Sequence, residues 1–260
     1  MKKLLAFLLA AAVLTSFAAC GSDTKVEETT DEVETTAAPE GETTATTEGE
    51  TTDAPETDAP ETLPPPDIPT EPTDPGEFDN ALFIGDSRTL GLLYYGNLGT
   101  ADVFATKGMT IFRVFNEIID VKSAGETNLE SLLASKKYDK IYIMLGLNEI
   151  GANIEGIKLK YSALVDRLLE TQDSAKIYVC ANLHITNSRS EWDEIYNNTR
   201  LNAINDYVST LANGENVQFV DVNIMFDDKS GGFREDYAAD DFHPEPECYR
   251  MWVRWLGSIT

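Results

Sequence analysis

Residues 82–90 read LFIGDSRTL, a stretch in which apolar residues run directly into Gly-Asp-Ser and then into an amphipathic segment. This pattern predicts a buried β-strand that passes into a helix. Ser, Asp and Gly are ordinary turn and helix-cap residues, so Ser87 could simply cap that helix. Alternatively, its hydroxyl could be a nucleophile. The choice depends on whether the chain supplies a base for Ser87.

Five short runs from residue 80 onward have the composition of β-strands. They are β-branched, aromatic or otherwise apolar at consecutive positions, as expected for strands covered on both faces. The runs are ALFIG (81–85), ADVFAT (101–106), KIYIMLG (140–146), KIYVCAN (176–182) and VQFVDV (217–222). Helical patterns alternate with them, which predicts an α/β domain with a five-stranded parallel sheet and helices on both faces.

Helices are predicted for three segments, two between strands and one after the last strand. In the first, Tyr161, Leu164, Val165 and Leu168 lie at i, i+3, i+4 and i+7. A longer helix is predicted over 191–212 and a last one over 246–256. The apolar face of the longer helix would comprise Trp192, Ile195, Tyr196, Leu201, Ile204 and Val208.

The first 20 residues, MKKLLAFLLAAAVLTSFAAC, have the layout of a secretory signal peptide. Because they end in Phe-Ala-Ala-Cys, they resemble a bacterial lipoprotein signal, in which the cysteine is lipidated after cleavage. We therefore expect Cys20 to anchor the protein to the outer face of the cell membrane. The alternative is a simple signal cut near Ala19, which would give a secreted protein.

A second region, predicted to be a disordered acidic stalk, occupies 21–77 and precedes a folded domain at 78–260. Residues 21–79 contain 19 Asp and Glu, one Lys, 15 Thr and nine Pro, with few large apolar residues. Such a composition buries too little apolar surface to offset the entropy lost on ordering. The stalk would hold the domain away from the membrane.

Charge and cysteine content limit the partners. The formal net charge of −25 argues against a nucleic-acid partner. No Cys or His spacing is typical of zinc, and the acidic residues between 227 and 241 fit no EF-hand loop, so we expect no metal or cofactor. Cys180 and Cys248 could form a disulfide outside the cell or remain buried thiols.

Polar residues or glycine follow each predicted strand, where ligands bind in parallel α/β sheets. A serine at such a place needs a base, and histidine is the usual one because its pKa lies near neutral pH. The chain has two histidines, His184 and His243. His243 ranks first because Asp240, three residues earlier, could orient its ring through Nδ1.

Acyl transfer also requires hydrogen-bond donors for the developing oxyanion. The backbone N–H of Ser87 at a helix start, the backbone N–H of Gly108 and the side-chain amide of Asn148 are candidates. Taken singly, Gly108 and Asn148 would be read as a turn glycine and a loop asparagine.

Four sequence blocks together resemble the SGNH (GDSL-type) hydrolases. They are FIGDS, the isolated Gly108, GLNE and DDFHP, in the family's order and over residues 83–244. The resemblance implies a flavodoxin-like three-layer fold and a metal-independent serine esterase. It implies Ser87 as nucleophile, His243 as base and Asp240 as its orienting acid, with an oxyanion hole made by Ser87, Gly108 and Asn148. Glu149 stands where the family usually has Asp.

Other residues have weaker functional interpretations. Arg88 could contact an anionic substrate, although a structural salt bridge is favoured, and His184 could contact substrate or form a pocket wall. Trp192 and Tyr196 could stack on a sugar ring, although two aromatic residues at helical spacing more often belong to a core.

These observations predict an esterase acting on a small acyl ester or an acetylated glycan, since a protein outside a bacterial cell encounters polysaccharides. Members of the family that it resembles commonly remove acetyl groups from sugars. An O-acyltransferase with the same triad is one alternative. A non-catalytic carbohydrate-binding module at the cell surface is the other.

Overall fold

The computed structural model describes residues 66–71, 74 and 76–260. The predictions for the signal peptide, for lipidation of Cys20 and for most of the stalk therefore lie outside the described residues. Within the described ranges, no helix is both long enough and apolar enough to cross a membrane.

The strands form one large sheet and two small ones. In chain order, those of the described region are β1 (Ala81–Gly85), β2 (Asp102–Ala105), β3 (Ile119–Val121), β4 (Gly125–Thr127), β5 (Lys140–Met144), β6 (Lys176–Cys180), β7 (Val217–Val220), β8 (Ala238–Asp240) and β9 (His243–Pro244). The large sheet is parallel, with the strand order β2-β1-β5-β6-β7. All five predicted strands belong to it, so the predicted α/β class is confirmed. The pairs β3–β4 and β8–β9 are antiparallel.

Helices connect the strands. Those of the described region are α1 (Ser87–Tyr95), α2 (Leu129–Ser135), α3 (Ile154–Thr171), α4 (Asn187–Ser190), α5 (Asn198–Ser209), α6 (Asn223–Phe226) and α7 (Pro246–Ile259), with a 3₁₀ turn at Glu235–Tyr237. The predicted helices around Tyr161 and at 246–256 are confirmed as α3 and α7.

Side-chain alternation along the strands builds a core on each face of the large sheet. Leu82 and Ile84 of β1 pack into one core, together with apolar residues of α2, α3 and α5. Ala81 and Phe83 point the other way, into a second core shared with α1, α6 and α7. The result is the three-layer α/β/α architecture that the sequence predicted.

The second core contains an aromatic stack that follows the strand register. Phe83, Tyr142 and Tyr178 are paired residues of β1, β5 and β6. Their ring centroids are separated by 4.4 Å and 4.9 Å, and both ring pairs are nearly parallel. The stack stabilises the sheet next to the strand that leads to Ser87.

The long helix predicted over 191–212 is shorter than expected. α5 begins only at Asn198, because the side chain of Asn197 caps it by accepting a hydrogen bond from the backbone N–H of Arg200. Upstream, the Asp193 carboxylate accepts from the backbone N–H groups of Ile195 and Tyr196 and forms a turn instead. Residues 191–197 are therefore not helical.

The structure also bears on the start of the folded domain and on the state of two cysteines. Ile68 packs against the second core and Glu77 pairs with Lys140 at 2.7 Å, so ordered contacts begin before the predicted boundary at residue 78. Cys180 and Cys248 are both buried free thiols, which is one of the two alternatives that the sequence left open.

Candidate active site

The site begins where β1 passes into α1. Asp86 is the N-cap of α1, and its carboxylate accepts a hydrogen bond from the backbone N–H of Arg88 at 2.9 Å. Ser87 is therefore the first helical residue and not the cap. A Cβ at position 85 would collide with Thr89 and with the Met144 carbonyl, so Gly85 permits this close turn. The simple capping interpretation of Ser87 is thus wrong.

A two-residue turn between β8 and β9 places Asp240 directly opposite His243. The Asp240 carboxylate accepts from the backbone N–H groups of Phe242 (2.8 Å) and His243 (2.9 Å). It also contacts His243 Nδ1 at 2.9 and 3.0 Å. Burial would raise the pKa of Asp240, but these hydrogen bonds lower it below its ordinary value. The carboxylate is therefore ionised at neutral pH and orients the ring through Nδ1.

The other nitrogen of the same ring reaches the end of β1. His243 Nε2 lies 2.8 Å from Ser87 Oγ, although the two residues are 156 positions apart in the chain. With Nδ1 donating to Asp240, Nε2 is left to accept the proton of the Ser87 hydroxyl. This geometry suits activation of a serine by a general base.

Two backbone donors near Ser87 are free. Neither the N–H of Ser87 nor that of Gly108 has a hydrogen-bond acceptor among the described residues. Gly108 has a φ of +73°, which glycine adopts more easily than other residues, and there is open space where a Cβ would be. The turn therefore leaves the Gly108 N–H unobstructed. Asn148 differs, because its Nδ2 donates to Asp86 Oδ2 (3.1 Å) and to the Met109 carbonyl (3.0 Å).

A buried carboxyl group joins the loops that carry these donors. Glu149 Oε1 accepts from the backbone N–H of Ile111 at 2.7 Å, which connects the loop after β5 to the loop after β2. Its Oε2 is buried without a hydrogen-bond partner in the described structure. Burial raises the pKa of Glu149 to about 7.

Residues 83–251 match the model of the GDSL-like Lipase/Acylhydrolase family, and this range contains every side chain of the site. The chain belongs to the GDSL-like lipase/acylhydrolase family. It is accordingly a hydrolase of the GDSL type, as the four sequence blocks predicted.

Solved structures of GDSL-type and related proteins share the fold. A platelet activating factor candidate from Streptococcus pneumonia has 20% identity and a TM-score of 0.56, over 69% of this chain and 82% of that one. A GDSL-like lipase from Bacteroides thetaiotaomicron has 15% identity and a TM-score of 0.53, over 75% and 90%. An acetyl xylan esterase, AlAXEase, has 14% identity and a TM-score of 0.50, over 69% and 99%. No curated protein matches the chain.

Arg88 of this GDSL hydrolase is structural. Its guanidinium is fully buried and pairs with Asp86 at 3.1 Å. It also donates to Asn182 Oδ1 and to the Leu183 carbonyl, both at 3.1 Å. The favoured structural salt bridge of Arg88 is therefore confirmed, and the alternative of a substrate contact is wrong, because this buried side chain joins the β1 and β6 ends of the sheet.

The second histidine is held on both ring nitrogens. His184 Nδ1 lies 2.8 Å from an Asp227 carboxylate oxygen, and Nε2 lies 2.8 Å from Asn202 Oδ1. His184 as a whole residue is 7% exposed, so the alternative of a substrate contact finds no support. Burial would lower the pKa of His184, but the hydrogen bond and charge of Asp227 raise it. His184 is a buried member of a second His–Asp pair.

Sequence reasoning missed three of the residues that organise this region. Asp227 and Asn202 are 43 and 18 positions from His184, and no short spacing connects them to it. Glu149 was noted only as a departure from the family pattern, and its position between two loops became visible only in the fold. Within the part of the chain that the structure describes, no cluster of three or more His, Cys, Asp or Glu side chains could hold a metal ion.

Proposed function

We propose that this GDSL-family chain is a serine esterase that removes O-acetyl groups from a carbohydrate or cell-wall glycan through an acyl-enzyme. The observation that carries the proposal is one continuous hydrogen-bond chain. Ser87 Oγ lies 2.8 Å from His243 Nε2, and His243 Nδ1 lies 2.9 Å from the Asp240 carboxylate. A serine, an imidazole and a carboxylate in this order are what nucleophilic acyl transfer requires.

In the proposed acylation step, Ser87 Oγ attacks the acetyl carbonyl carbon while His243 Nε2 takes the hydroxyl proton. The tetrahedral intermediate then collapses, and the sugar oxygen leaves with the proton returned by His243. In deacylation, water attacks the acetyl-serine while His243 accepts its proton. His243 then returns this proton to Ser87 Oγ as the bond between Oγ and the acetyl carbon breaks, so that the serine hydroxyl is restored and acetate is released.

The oxyanion that forms in both steps needs donors that are ready before the reaction. The free N–H groups of Ser87 and Gly108 fill this role in the proposed mechanism, and the start of α1 favours negative charge there. The Asn148 amide already donates to Asp86 and Met109, so the oxyanion competes with these acceptors for the third donor.

The choice of an acetylated glycan rests on two supports. The acetyl xylan esterase named above shares the fold, with 14% identity. The N-terminal residues, ending in Phe-Ala-Ala-Cys, support lipidation of Cys20 and an outer location, where glycans are available. A secreted protein would encounter the same glycans.

The test uses the chain without residues 1–20 and measures acetate released from p-nitrophenyl acetate and from acetylated xylan, without any added sugar acceptor. We expect release by the wild type and by Ser131→Ala, an exposed serine of α2. Ser87→Ala and His243→Ala should lose it. Equal release by all four proteins would overturn the assignment of Ser87 and His243. Release that requires a sugar acceptor would instead favour an acyltransferase, and no turnover of any ester would favour a binding module.

A further inference from the structure

One tryptophan of the chain is exposed on the surface. Trp252 and Trp255 of α7 are 2% and 4% exposed and belong to the second core, whereas Trp192 is 66% exposed. These are the chain's three tryptophans. The sequence-based expectation that Trp192 packs inward on a long helix is wrong, because residues 191–197 are not helical. An exposed tryptophan offers a large ring with a polar N–H, which suits contact with a ligand or partner when the ring is held in place.

The Trp192 ring is held in a defined orientation. The Arg189 guanidinium carbon lies 4.3 Å from its centroid, so a cation covers one face of the ring. Arg189 is itself fixed by an ion pair with Asp193. Since two-thirds of the tryptophan remains exposed, the face away from Arg189 is open to solvent.

The same arginine connects Trp192 to the turn that carries His243. The Arg189 guanidinium carbon is 5.6 Å from the centroid of Phe242, the residue next to His243. At the start of α4, Thr186 donates to Asp241 through its hydroxyl (2.7 Å) and its backbone N–H (3.2 Å). The segment with Trp192 is therefore attached directly to the β8–β9 turn.

The other end of the segment contacts the loop that follows Asn148. A Cβ on Gly151 would lie 3.0 Å from Ile195 Cγ2, so Ile195 packs against this loop. Arg200 donates to the Ile150 carbonyl at 3.3 Å. The residues from 186 to 200 thus form a bridge between the two loops that flank Ser87.

The surroundings of Trp192 are polar. An open groove of about 440 Å³ runs beside the ring. Its lining includes Glu191, Asn197 and Thr199. An apolar ring face with amide, hydroxyl and carboxylate groups at its edge matches a pyranose or furanose, which presents C–H groups on its faces and hydroxyls around its rim. The lining carries three acids, Glu191, Asp193 and Glu194, against one arginine, Arg200, and this acidic excess disfavours a polyanionic chain.

We propose that Trp192 and the groove beside it form a subsite for a sugar ring of a neutral O-acetylated glycan. This inference rests on the proposed function, because the subsite would hold the chain whose acetyl group reaches Ser87. The sugar stacks on the open face of Trp192, and the groove side chains bond its hydroxyls.

Tryptophan fluorescence tests binding without requiring turnover, because the other two tryptophans are buried. Ser87→Ala protein is titrated with acetylated xylo-oligosaccharides. A saturable change in emission is expected, and it should persist in Ser87→Ala/Tyr94→Ala, which removes another exposed aromatic residue (68%). It should vanish in Ser87→Ala/Trp192→Ala. No change in the Ser87→Ala protein at concentrations well above the KM of the active enzyme would overturn the subsite.

Kinetics of the active enzyme provide the second readout. Trp192→Ala should raise KM for the oligosaccharide roughly tenfold with kcat unchanged, which is the signature of lost binding that is equal in the ground state and the transition state. Kinetics with p-nitrophenyl acetate, which is too small to span both positions, should be unaltered, and Trp192→Phe should restore most of the affinity. Equal losses on both substrates, or a loss confined to p-nitrophenyl octanoate, would overturn the subsite in favour of a structural role or an acyl-chain site.

Different measurements test the esterase reaction and the sugar subsite, so either can be contradicted without the other. Acetate release by wild-type protein tests the reaction, whereas the fluorescence titration tests the subsite. Oligosaccharide binding without acetate release would contradict the proposed esterase function and leave the subsite supported. Acetate release that is indifferent to Trp192 would contradict only the subsite.

Discussion

The molecule contains two His–Asp pairs with the same chemistry and different surroundings. His243 and Asp240 have side chains that are 32% and 59% exposed, with Nδ1 at 2.9 Å from the carboxylate. His184 and Asp227 are 9% and 20% exposed, with Nδ1 at 2.8 Å. The first Nε2 faces the Ser87 hydroxyl, and the second faces the Asn202 amide oxygen.

The atom opposite Nε2 decides what each ring can do. A hydroxyl can donate, so it permits a neutral imidazole with a lone pair at Nε2 that can accept a proton. An amide oxygen only accepts, so it favours a proton on Nε2 and a charged ring when Nδ1 also faces a carboxylate. Burial raises the pKa of Asp227 and would favour a neutral pair, but acceptors at both ring nitrogens favour the charged His184. A carboxylate partner alone therefore does not make a histidine a base.

Exchanging each histidine for alanine should separate the two roles most strongly. We expect His243→Ala to lower kcat by at least about 10³-fold, because the base is lost. His184→Ala, assayed at a temperature where it is folded, should retain activity within about tenfold, since the ring does not contact Ser87. Ester hydrolysis by the two purified variants checks this, and equal losses would remove the distinction between the pairs.

The orienting carboxylate should have the next largest effect. Asp240→Asn keeps the shape but presents an amide to Nδ1, so it weakens the orientation of the ring and the stabilisation of the imidazolium. We expect kcat to fall by about 10²-fold or more, with KM little changed. Asp241→Asn, on the neighbouring residue, is the matched control. A kcat within twofold of wild type for Asp240→Asn would contradict this role.

The buried His184–Asp227 pair should contribute more to the free energy of unfolding than the His243–Asp240 pair. Removing one partner of a buried ion pair leaves the other uncompensated, so His184→Ala should lower the free energy of unfolding by about 4 kcal/mol. Because the pKa of folded His184 is raised above 6.5, the contribution is fully present below pH 6.5 and is lost as pH rises through the folded pKa. Urea denaturation at several pH values measures it. His243→Ala is the control, and an equal or pH-independent loss would contradict the prediction.

Glu149 should have a smaller effect on stability, and here the charged form of the buried group destabilises the fold. Its pKa rises from 4.5 to about 7 on folding, so between these values the folded state binds more protons and stability falls as pH rises. Glu149→Gln cannot ionise, so it should gain about 3 kcal/mol relative to wild type across this window. Glu155→Gln, whose side chain is 73% exposed, should show no such trend. Free energies of unfolding that depend on pH in the same way for wild type and Glu149→Gln would refute this prediction.

The first pair could be predicted from the sequence because its geometry is local. Asp240 and His243 are three residues apart and face each other across one tight turn. The position of Ser87 follows from the sheet, because parallel strands bring their carboxyl ends to one edge. The approach of His243, which lies on β9 outside the large sheet, was predicted by the resemblance of the sequence blocks to the family. The strands themselves were visible as consecutive apolar residues.

The second pair could not be predicted, because His184, Asp227 and Asn202 meet only through packing of separate elements. The wrong prediction of a helix over residues 191–197 has a similar origin. Trp192, Ile195 and Tyr196 continue the helical spacing of α5, but the Asp193 turn and the Asn197 cap override it. The burial of Arg88 likewise depends on Asn182 and Leu183, which are more than 90 positions away.

In the proposed mechanism, the His243 pair, and not the His184 pair, makes Ser87 reactive. Labelling with a fluorophosphonate, located by peptide mass spectrometry, tests it most directly. We predict one label on Ser87 in wild type and in folded His184→Ala, and none in His243→Ala. A label on another serine, or equally fast labelling of Ser87 in His243→Ala, would contradict the claim.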